Sequence, residues 1–483
     1  MRAYSFLKPL TRLVLAVAFA GALPALVLGA GPQARPAAPP SGAQTTTKFA
    51  GAPITSKVLG NGLEIIVYED HSVPIVTVEL AVRNGSFTEP PELNGLSHLY
   101  EHMFFSPNLA ERDKADYLKD INQLGISYNG ATQEEVVEYF FTTTTPNFPV
   151  EARLLRDSTL LPAFDQRDFA RERDVVIGEM DRRDANPFGA LSKEMMDRLF
   201  SKYPSRKEPL GNRETVATAT TDMMRLIQGR YYVPNNSAVV ITGDVAPAAA
   251  FTVIEGLFGE WARRKVDPFV EFPLVEHPPL AKSDGAILTQ PIQNIVVDLG
   301  WQGPSVGKDD AATYAADVFS FILQQPDSHF QRALVDTGLV SGVEIGYYTQ
   351  RNVGPIRISL QATPDKARAA VKAVYTEIAH FNDPAYYTDE ELASGKALLE
   401  ADNLYSREKL SEYVHEIAFW WSSTGFDYFR GYLGHVRTTT RADISRYVTT
   451  YIQGKPHIGL ALLSDASLKV SGLTVDDLIG GGK

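Results

Sequence analysis

The chain of 483 residues contains no cysteine. It can therefore form no disulfide bond, no thiolate zinc site, no iron–sulfur cluster and no cysteine nucleophile. Any metal ion must be held by histidine, aspartate or glutamate. The chain also has fewer basic than acidic residues. It contains 46 Lys and Arg and 58 Asp and Glu residues, which give a net charge of −12. This balance argues against nucleic acid as a partner, since binding a phosphate backbone requires a dense positive field.

Long hydrophobic runs are missing after the first thirty residues, so the sequence predicts no membrane span in the mature protein. At the start of the chain, three basic residues precede an uncharged run from Leu13 to Leu28. This layout predicts a signal peptide over residues 1–30 and an exported, periplasmic or secreted protein. A membrane anchor is the alternative, but the run is shorter than the roughly 20 residues that a spanning helix needs. A Pro- and Ala-rich linker is predicted over residues 31–48.

The rest of the chain, with 44% hydrophobic and 22% charged residues overall, is typical of a globular protein with several cores. Two apolar arms around Asn61-Gly62 predict a hairpin, and the β-rich run Ile75–Val82 predicts a further strand. A helical pattern surrounds His98. Later helices are predicted at Val150–Leu161, Phe169–Arg183 and Thr221–Tyr232, and a strand at Ser237–Thr242. Strands followed by helices and a strand indicate an α+β unit.

A proline-rich stretch between Arg263 and Gly285 marks a boundary, and we expect it to contain no helix. Beyond it the pattern of strands and helices returns. Strands are predicted at Asn294–Leu299 and Ile356–Leu360, a helix is predicted to start at Thr363-Pro364-Asp365, and Thr388 and Glu391 predict a capping box for another helix.

A similar pattern occurs twice in the chain, at a spacing of 221 residues. Asp222 and Arg225, followed by an apolar strand, correspond to Asp443 and Arg446, followed by Ile458–Leu463. Because this offset is close to half the mature length, we favour two similar lobes over three unrelated domains. The predicted organisation is an N-terminal lobe over residues 49–262, an interlobe linker over residues 263–285 and a C-terminal lobe over residues 286–475.

The most informative segment is the pattern His-x-x-Glu-His at residues 98–102. On a helix, residues four apart lie on one face, so His98 and His102 can bind one metal ion while Glu101 projects beside them towards a water molecule. This is the inverted zincin motif of zinc peptidases. The alternative is a pair of surface histidines on an amphipathic helix.

Two imidazoles do not complete a catalytic zinc site, which usually has three protein ligands and one open position for water. A carboxylate is a common third ligand. Glu172 and Glu179 are seven residues apart on a predicted acidic helix and lie along one face. Spacing alone does not rank them, and glutamates on charge-rich helices are usually solvated. Other divalent ions are an alternative to zinc for such a ligand set.

The motif at residues 98–102, together with Asn61-Gly62-Leu63, Gly85-Ser86 and the acidic helix, resembles the pitrilysin and insulinase family of inverted zincins. Within that family it is similar to the two-lobe chains of the mitochondrial processing peptidase type. The family's ligand glutamate lies 77 positions after the second histidine, and Glu179 meets that count. The resemblance covers about residue 55 to residue 465. It implies that Glu179 completes the site of one zinc ion and that Glu172 supports it.

The same resemblance implies the fold and the activity. We expect two α+β sandwich lobes, each a mixed or antiparallel sheet with helices packed on it, that face each other around a chamber. We expect a zinc-dependent endopeptidase that cleaves unstructured peptides or short precursors, in which Glu101 takes the proton of the attacking water and passes it to the leaving amine.

Substrate binding in this family uses an exposed strand edge, to which an extended peptide adds as one more strand. The segment Asn129-Gly130-Ala131-Thr132 resembles the family's Asn-Ala-x-Thr segment, with the alanine displaced by one position. Asn129 is therefore a candidate for holding the substrate backbone. The alternative is that Asn129 is a turn residue ahead of Gly130.

The second half departs from the family at an Arg–Tyr pair that self-sufficient members bring to the substrate near the zinc. The matching segment Leu334–Gly342 has Val335 in place of the arginine, and Ser341 or Gly342 in place of the tyrosine. Without these donors the oxyanion would lose part of its stabilisation. We therefore expect a related non-catalytic subunit to supply the pair, with this chain as the catalytic half of a heterodimer.

The main alternatives are a catalytically silent structural or assembly subunit and a peptide-binding subunit of the same fold. The intact His-x-x-Glu-His motif argues against both. The sequence has no Gly-x-Ser-x-Gly elbow and no phosphate-binding glycine-rich loop, so serine-hydrolase and nucleotide-binding functions find no support. We interpret His329 and His415 as surface or core residues, and Trp420 and Trp421 as packing residues within the lobe.

Overall fold

The computed structural model describes residues 46–48, 54–111, 119 and 121–481. The predicted signal peptide over residues 1–30 and residues 31–45 of the predicted linker lie outside the described residues. Thr46–Lys48, within that linker, forms a short strand, β1, which pairs with residues 55–57. The first sheet therefore begins before residue 49. No described helix combines the length and the apolar character that a membrane crossing requires.

A mixed sheet of seven strands forms the centre of the N-terminal lobe. After β1, its strands are Ile54–Val58 (β2), Glu64–Glu69 (β3), Ile75–Val82 (β4), Ser127–Thr132 (β5), Val137–Thr144 (β6) and Ser237–Gly243 (β7). Their order across the sheet is β1-β2-β3-β7-β4-β6-β5. Only β3 and β7 are parallel, and the other neighbours are antiparallel. The hairpin predicted around Asn61-Gly62 joins β2 to β3, and β5 ends the sheet.

The longer helices of the N-terminal lobe pack against this sheet or against one another. They are Leu96–Phe104 (α1), Phe148–Leu160 (α2), Gln166–Ala185 (α3), Pro187–Leu199 (α4), Thr221–Tyr231 (α5) and Pro247–Phe258 (α6). The predicted helices over the second, third and fifth of these segments are confirmed. Two of them begin earlier than predicted, and for α3 the reason is Asp165, whose side chain accepts hydrogen bonds from the backbone N–H groups of Arg167 and Asp168.

The C-terminal lobe repeats the same topology. Its strands are Asp284–Thr289 (β8), Ile295–Gln302 (β9), Gly342–Tyr347 (β10), Pro355–Ala362 (β11) and Ile458–Leu463 (β12). Their order, β10-β11-β9-β12-β8, places them like β5-β6-β4-β7-β3 of the first sheet. The register also matches, because Glu64 lies opposite Ala238 and Asp284 lies opposite Ile458. The prediction of two similar α+β lobes with mixed sheets is confirmed, whereas the chamber stays a prediction.

The longer helices of the second half are Asp310–Gln324 (α7), Ala367–His380 (α8), Asp389–Tyr405 (α9), Leu410–Ser423 (α10), Phe426–Thr438 (α11), Arg441–Tyr451 (α12) and Asp465–Ser471 (α13). The capping box predicted for α9 is present, since Thr388 accepts from the N–H of Glu391 and the Glu391 carboxylate accepts from the N–H of Thr388. By contrast, α8 begins at Ala367 rather than at Thr363-Pro364-Asp365, because residues 363–366 form a turn.

The expectation that residues 263–285 contain no helix is wrong at one place. Pro268–Glu271 forms a short α-helix. Its cap is Asp267, which accepts a hydrogen bond from the backbone N–H of Phe269. Pro268 occupies the first helical position, where its fixed φ and missing N–H do not disturb the helix. Pro268 therefore starts a helical turn in this stretch.

The two lobes exchange helices. The sheet of the N-terminal lobe carries its own helices on one face, and α10 from the second half covers its other face, where Tyr68 and Tyr413 rings lie 5.5 Å apart. Reciprocally, α4 of the first half packs on the second sheet, with Leu191 and Met195 in one cluster with Leu460. Each sheet is thus sandwiched between helices from both halves of the chain.

A polar clamp joins the tips of two equivalent hairpins. The carboxylate of Glu135, at the turn between β5 and β6, accepts hydrogen bonds from the backbone N–H groups of Arg351 (2.8 Å) and Asn352 (2.9 Å), at the turn between β10 and β11. The buried ammonium of Lys207 donates to the carbonyls of Asn352 (2.7 Å) and Val353 (2.8 Å). The edge strand β5 is therefore anchored at one end by the second lobe.

Candidate metal centre

Helix α1 carries the His-x-x-Glu-His motif, and its first turn is held by a buried carboxylate. Glu89 accepts hydrogen bonds from the backbone N–H of Gly95 (2.7 Å) and of Ser97 (2.6 Å), which would otherwise be unpaired at the helix start. Gly95 has a φ of +94° and approaches Gly211 so closely that a Cβ atom would lie 2.8 Å from its Cα. These contacts fix the turn of α1 that precedes His98.

The structure brings three of the predicted ligands together at the junction of α1 and α3. The Nε2 atoms of His98 and His102 lie 3.6 Å and 3.5 Å from Oε2 of Glu179. One donor atom from each of the three residues falls within 4.8 Å of the others. Glu179 sits on α3, which packs directly against α1. Side chains that are 77 positions apart in the sequence therefore converge on one point.

The donor set fits a zinc ion. Zinc bonds of roughly 2.0–2.2 Å in a tetrahedral site separate neighbouring ligand atoms by about 3.4 Å. The separations of 3.5 and 3.6 Å from the Glu179 carboxylate to the two imidazoles are close to that value. Two imidazoles and one carboxylate are also a usual ligand set of catalytic zinc. These three side chains would hold the ion.

Glu172 lies behind the second histidine. Its Oε2 is 3.5 Å from Nδ1 of His102, while its Oε1 accepts two hydrogen bonds from the guanidinium of Arg171 at 3.0 and 3.1 Å. A carboxylate on the far nitrogen of a ligand imidazole orients the ring and raises its basicity. Glu172 therefore lies behind His102, outside the set of three donors.

Glu101 faces the same point from the third residue after His98. Its Oε2 lies 3.6 Å from Nε2 of His98 and accepts a hydrogen bond from the Thr132 hydroxyl at 3.2 Å. On strand β5, Gly130 leaves room for it, because a Cβ atom there would lie 2.9 Å from both Cγ and Oε1 of Glu101. Glu101 is buried and is directed at the candidate metal position without being needed as a ligand.

The pKa values of this metal-free cluster differ widely. Burial and the neighbouring His102 lower the pKa of His98 to about 3. Burial also lowers the pKa of His102, but contact with Glu172 and Glu179 outweighs it and raises this pKa to about 10. Burial raises the pKa of Glu101 to about 7. Burial raises the pKa of the Glu172 and Glu179 carboxyls, but the contact with His102 outweighs burial. The pKa of each carboxyl is therefore below its ordinary value.

The remaining predicted residues have clear positions. Asn129 lies within β5, opposite Phe140 of β6, so the alternative that it is a turn residue is wrong. His329 is about half exposed and lies 3.4 Å from Glu377, whereas His415 is buried. Trp421 is buried and links the lobes, since its indole N–H donates to the carboxylate of Glu64 at 2.7 Å. Sequence patterns gave no role to Thr132, Gly130 or Glu89, because their partners are distant in the chain or are backbone atoms.

The second lobe has a counterpart of the motif helix that lacks its chemistry. Helix α7 packs on β10, α9 and α12, as α1 packs on β5, α3 and α5. Its sequence contains no histidine, and its buried face consists mainly of alanine, valine, phenylalanine and isoleucine. No set of metal-ligating side chains was found on α7 within the described part of the chain.

The two-lobed fold and the His–His–Glu set on packed helices are those of a metallopeptidase. A family model described as insulinase (peptidase family M16) matches residues 64–211, and one described as the peptidase M16 inactive domain matches residues 218–399. The chain belongs to this family of zinc metallopeptidases, the insulinase or pitrilysin family.

Individual relatives are distant. A protein of Rickettsia felis described as an uncharacterized zinc protease is 22% identical over 362 residues, which cover 74% of this chain and 85% of that protein. A solved protease of Helicobacter pylori superposes with a TM-score of 0.76 at 21% identity, covering 85% of this chain and 99% of that chain. The periplasmic protease PqqL of Escherichia coli gives 0.72 at 17% identity, covering 91% of this chain and 51% of that chain. These solved structures share the fold.

Proposed function

We propose that this chain is an endopeptidase that uses one zinc ion and Glu101 to cleave unstructured peptides or short precursors. The observation that carries the proposal is the position of Glu101. Its carboxylate lies 3.6 Å from Nε2 of His98 and is buried, although three other side chains already suffice to hold the ion. A site that only bound metal would have no use for it.

The roles of the protein's own groups follow from this geometry. When bound, zinc supplies a Lewis acid and lowers the pKa of a water molecule to roughly 7. Glu101 accepts the proton of the attacking water and then donates it to the leaving amine. Thr132 keeps the carboxylate turned towards the reacting atoms by its hydrogen bond of 3.2 Å. Glu172 holds the ring of His102 in orientation through the contact with Nδ1.

The substrate would bind along β5. This strand ends the first sheet and pairs only with β6 among the described strands, so its other side can accept an extended peptide as a further strand. Gly130 of the same strand touches Glu101, which would bring the peptide carbonyl close to the base. Asn129, the neighbouring residue, is our candidate for holding the substrate backbone.

We further propose that a related, non-catalytic subunit completes the active site. The segment Leu334–Gly342 of this chain lacks the Arg–Tyr pair. The helical turn Arg332–Asp336, which contains its first residues, packs on β10 and α8 of its own lobe. The exchanged helices fill the faces between the two sheets of this chain. A second chain could therefore provide both the missing donors and the other wall of the predicted chamber.

Export to the periplasm, or secretion, is also part of the proposal. The charge and hydropathy pattern of residues 1–30 supports it. A structural neighbour, PqqL of Escherichia coli, is described as a periplasmic protease, which agrees with this location.

The proposal is tested with the mature chain, residues 31–483, on a mixed library of unstructured peptides with added zinc. We expect cleavage that falls at least about a hundredfold in Glu101→Gln, while the bound metal is unchanged. Glu92→Gln, which removes the charge of an exposed glutamate before α1, should behave like the wild type. Cleavage that survives in Glu101→Gln would refute the assigned role.

The partner is tested by adding a family member that carries the Arg–Tyr pair and lacks the His-x-x-Glu-His motif. We expect the wild-type chain to be slow alone and at least about a hundredfold faster in the mixture. Equal rates with and without the second chain would refute the heterodimer. A zinc-loaded wild type that stays silent in both settings would instead identify a structural or peptide-binding subunit.

A further inference from the structure

A second cluster of metal-ligating side chains lies on the opposite face of the first sheet. Glu79 on β4 and Glu138 on β6 point away from the lobe's own helical core, because their neighbours Val78 and Val137 point into it. His415 reaches the same place from α10, the helix that the second half lays over this sheet. The cluster therefore joins two strands of one lobe to a helix of the other.

The three side chains are in close contact and shut off from solvent. Nδ1 of His415 lies 2.5 Å from Oε2 of Glu79 and 3.9 Å from Oε2 of Glu138. One donor atom from each residue falls within 4.8 Å of the others. The exposed fractions of the side chains are 0% for Glu79, 1% for Glu138 and 8% for His415.

The contact with His415 is the main compensation that the described residues give the two carboxylates. Apart from that contact, neither oxygen of Glu79 accepts a hydrogen bond from the residues that the structure describes. Glu138 receives one long contact of 3.5 Å from the Gln133 amide. In the same part of the chain, no lysine or arginine forms an ion pair with either carboxylate. Two buried carboxylates beside one imidazole are costly unless a cation or protons balance them.

We propose that Glu79, Glu138 and His415 bind a second divalent metal ion. Two carboxylate oxygens and one imidazole nitrogen suit zinc or manganese. The separations of 2.5 and 3.9 Å lie on either side of the roughly 3.4 Å between ligands of a tetrahedral ion, so small rotations of the side chains would make the site regular. The interpretation of His415 as a core residue agrees with its burial, but its partners come from 277 and 336 positions away.

The role of this ion would be structural. It would fasten α10 to β4 and to β6, the strand that pairs with β5, which carries Gly130 and Thr132. This proposal is independent of the peptidase activity, because none of the three residues belongs to the first site and binding is measured without a substrate.

The test removes the first site and counts what remains. We prepare the mature chain with His98→Ala and His102→Ala, load it with zinc or with manganese, dialyse it and measure the metal per chain. We expect about one ion per chain in this double variant. Adding His415→Ala, or adding Glu79→Gln, should reduce the content to near zero. His329→Ala, which removes an exposed histidine beside another glutamate, should leave the ion in place.

Two results would overturn the proposal. One is a double variant without bound zinc or manganese, which would mean that protons balance the buried carboxylates. The other is a remaining ion that survives both His415→Ala and Glu79→Gln. If these variants fail to fold, crystals of the wild-type chain decide the matter. Anomalous scattering at the zinc or manganese edge should then show a peak between β4 and α10, and its absence would refute the site.

Discussion

Gly130 is the residue that gives Glu101 its space. The strand β5 passes so close to α1 that a Cβ atom at this position would lie 2.9 Å from Oε1 of Glu101 and 3.1 Å from the carbonyl oxygen of Glu138. A methyl group would displace the flexible carboxylate before it displaced the backbone. The position of the Glu101 carboxylate, our proposed general base, therefore depends on the absence of a side chain at Gly130 of the neighbouring strand.

We predict that Gly130→Ala lowers the kcat of peptide cleavage at least about tenfold, since misplacing a catalytic group by about 1 Å is enough for such a loss. Metal content should not change, because the atoms that a Cβ at Gly130 would approach most closely belong to Glu101 and Glu138 and not to the three ligands. The matched control is Gly229→Ala on α5, where a Cβ atom meets nothing within 4 Å. Full activity in Gly130→Ala would show that Glu101 is not confined by β5.

The proton on His102 links metal binding to pH. In the metal-free chain the pKa of His102 is about 10, so the ring is protonated at neutral pH, while the pKa of His98 is about 3 and that ring is neutral. A metal ion must displace the proton of His102. Affinity for zinc should therefore rise with pH until this proton is lost.

We predict that at about pH 6 the wild-type chain releases nearly one proton more per zinc ion than Glu101→Gln does. The extra proton comes from Glu101, whose pKa is about 7 in the metal-free chain and which is then largely protonated. Calorimetry in buffers of different ionisation enthalpy measures the number directly. An equal release by the wild type and by Glu101→Gln at about pH 6 would contradict this assignment.

At this scale, the residues that the sequence analysis proposed as ligands, His98, His102 and Glu179, lie together in the structure. The spacing of His98 and His102 placed both on one helix face, and the resemblance to a family selected Glu179. Glu89, Gly130 and Thr132 could not be found in the same way. Glu89 binds backbone N–H groups at the start of α1, and Gly130 and Thr132 contact Glu101 of α1 from a strand. Neither periodicity nor spacing in a sequence indicates which strand lies beside which helix.

At the scale of elements, α10 is one of the parts that join the two lobes. Trp421 near its end is buried, donates to Glu64 of β3 and lies under the guanidinium of Arg83, whose carbon is 3.7 Å from the ring. The ring of Trp421 therefore makes both a hydrogen bond and a cation–π contact with residues of the other lobe. Loss of this side chain would affect both lobes at once.

We predict that Trp421→Ala lowers the free energy of unfolding by about 3–5 kcal/mol, because it leaves a large cavity and removes the hydrogen bond to the Glu64 carboxylate. Urea unfolding followed by circular dichroism measures the change. Tyr405→Ala at the end of α9 is the control, since that ring is 72% exposed and should cost little. A loss in Trp421→Ala no larger than in the control would show that α10 is not essential to the interface.

Most elements were predictable, whereas their partners were not. The strands Ile75–Val82 and Ile458–Leu463 agree with the structure at both ends, because their apolar runs are bounded by turn residues or loops. The apolar face in the sequence of α4 or α10 indicates only that this face of the helix is buried against another part of the protein. It does not state that the covering sheet belongs to the other half of the chain.

At the scale of the whole molecule, neither lobe has a complete set of layers. Residues 49–262 alone would lack α10 and expose the apolar sheet face that includes Ile66 and Val240. Residues 263–483 alone would lack α4 and expose Leu460 and Leu462. Contiguous apolar faces of this kind drive association or aggregation.

We predict that each fragment is insoluble or aggregated when produced alone, and that producing both together yields a soluble complex of the two. Size-exclusion chromatography with mass determination measures the outcome, with the uncut chain of residues 31–483 as the reference. A monomeric, cooperatively unfolding N-terminal fragment would contradict the prediction.

The duplicated topology was only partly visible in the sequence. A few matched positions at a spacing of 221 residues suggested two lobes, and the common strand order and register bear this out. The second sheet begins at Asp284, inside the predicted linker, because the first strand of the lobe is short and half-buried and gives a weak signal. The exchange of helices had no signal at all.

Because each half of the chain covers a sheet of the other half, the two kinds of position in the second half, those that pack and those that could bind metal, are constrained to different degrees. Helix α7 contains no histidine and belongs to no metal-ligand set among the described residues, which is consistent with chemistry being needed on α1 only. Helix α10 is more constrained, since it forms one wall of the partner half's core. Substitutions of polar groups in the second half therefore leave the fold intact as long as the packing surface of α10 is kept. This gives a physical reason for the chain to keep its second lobe.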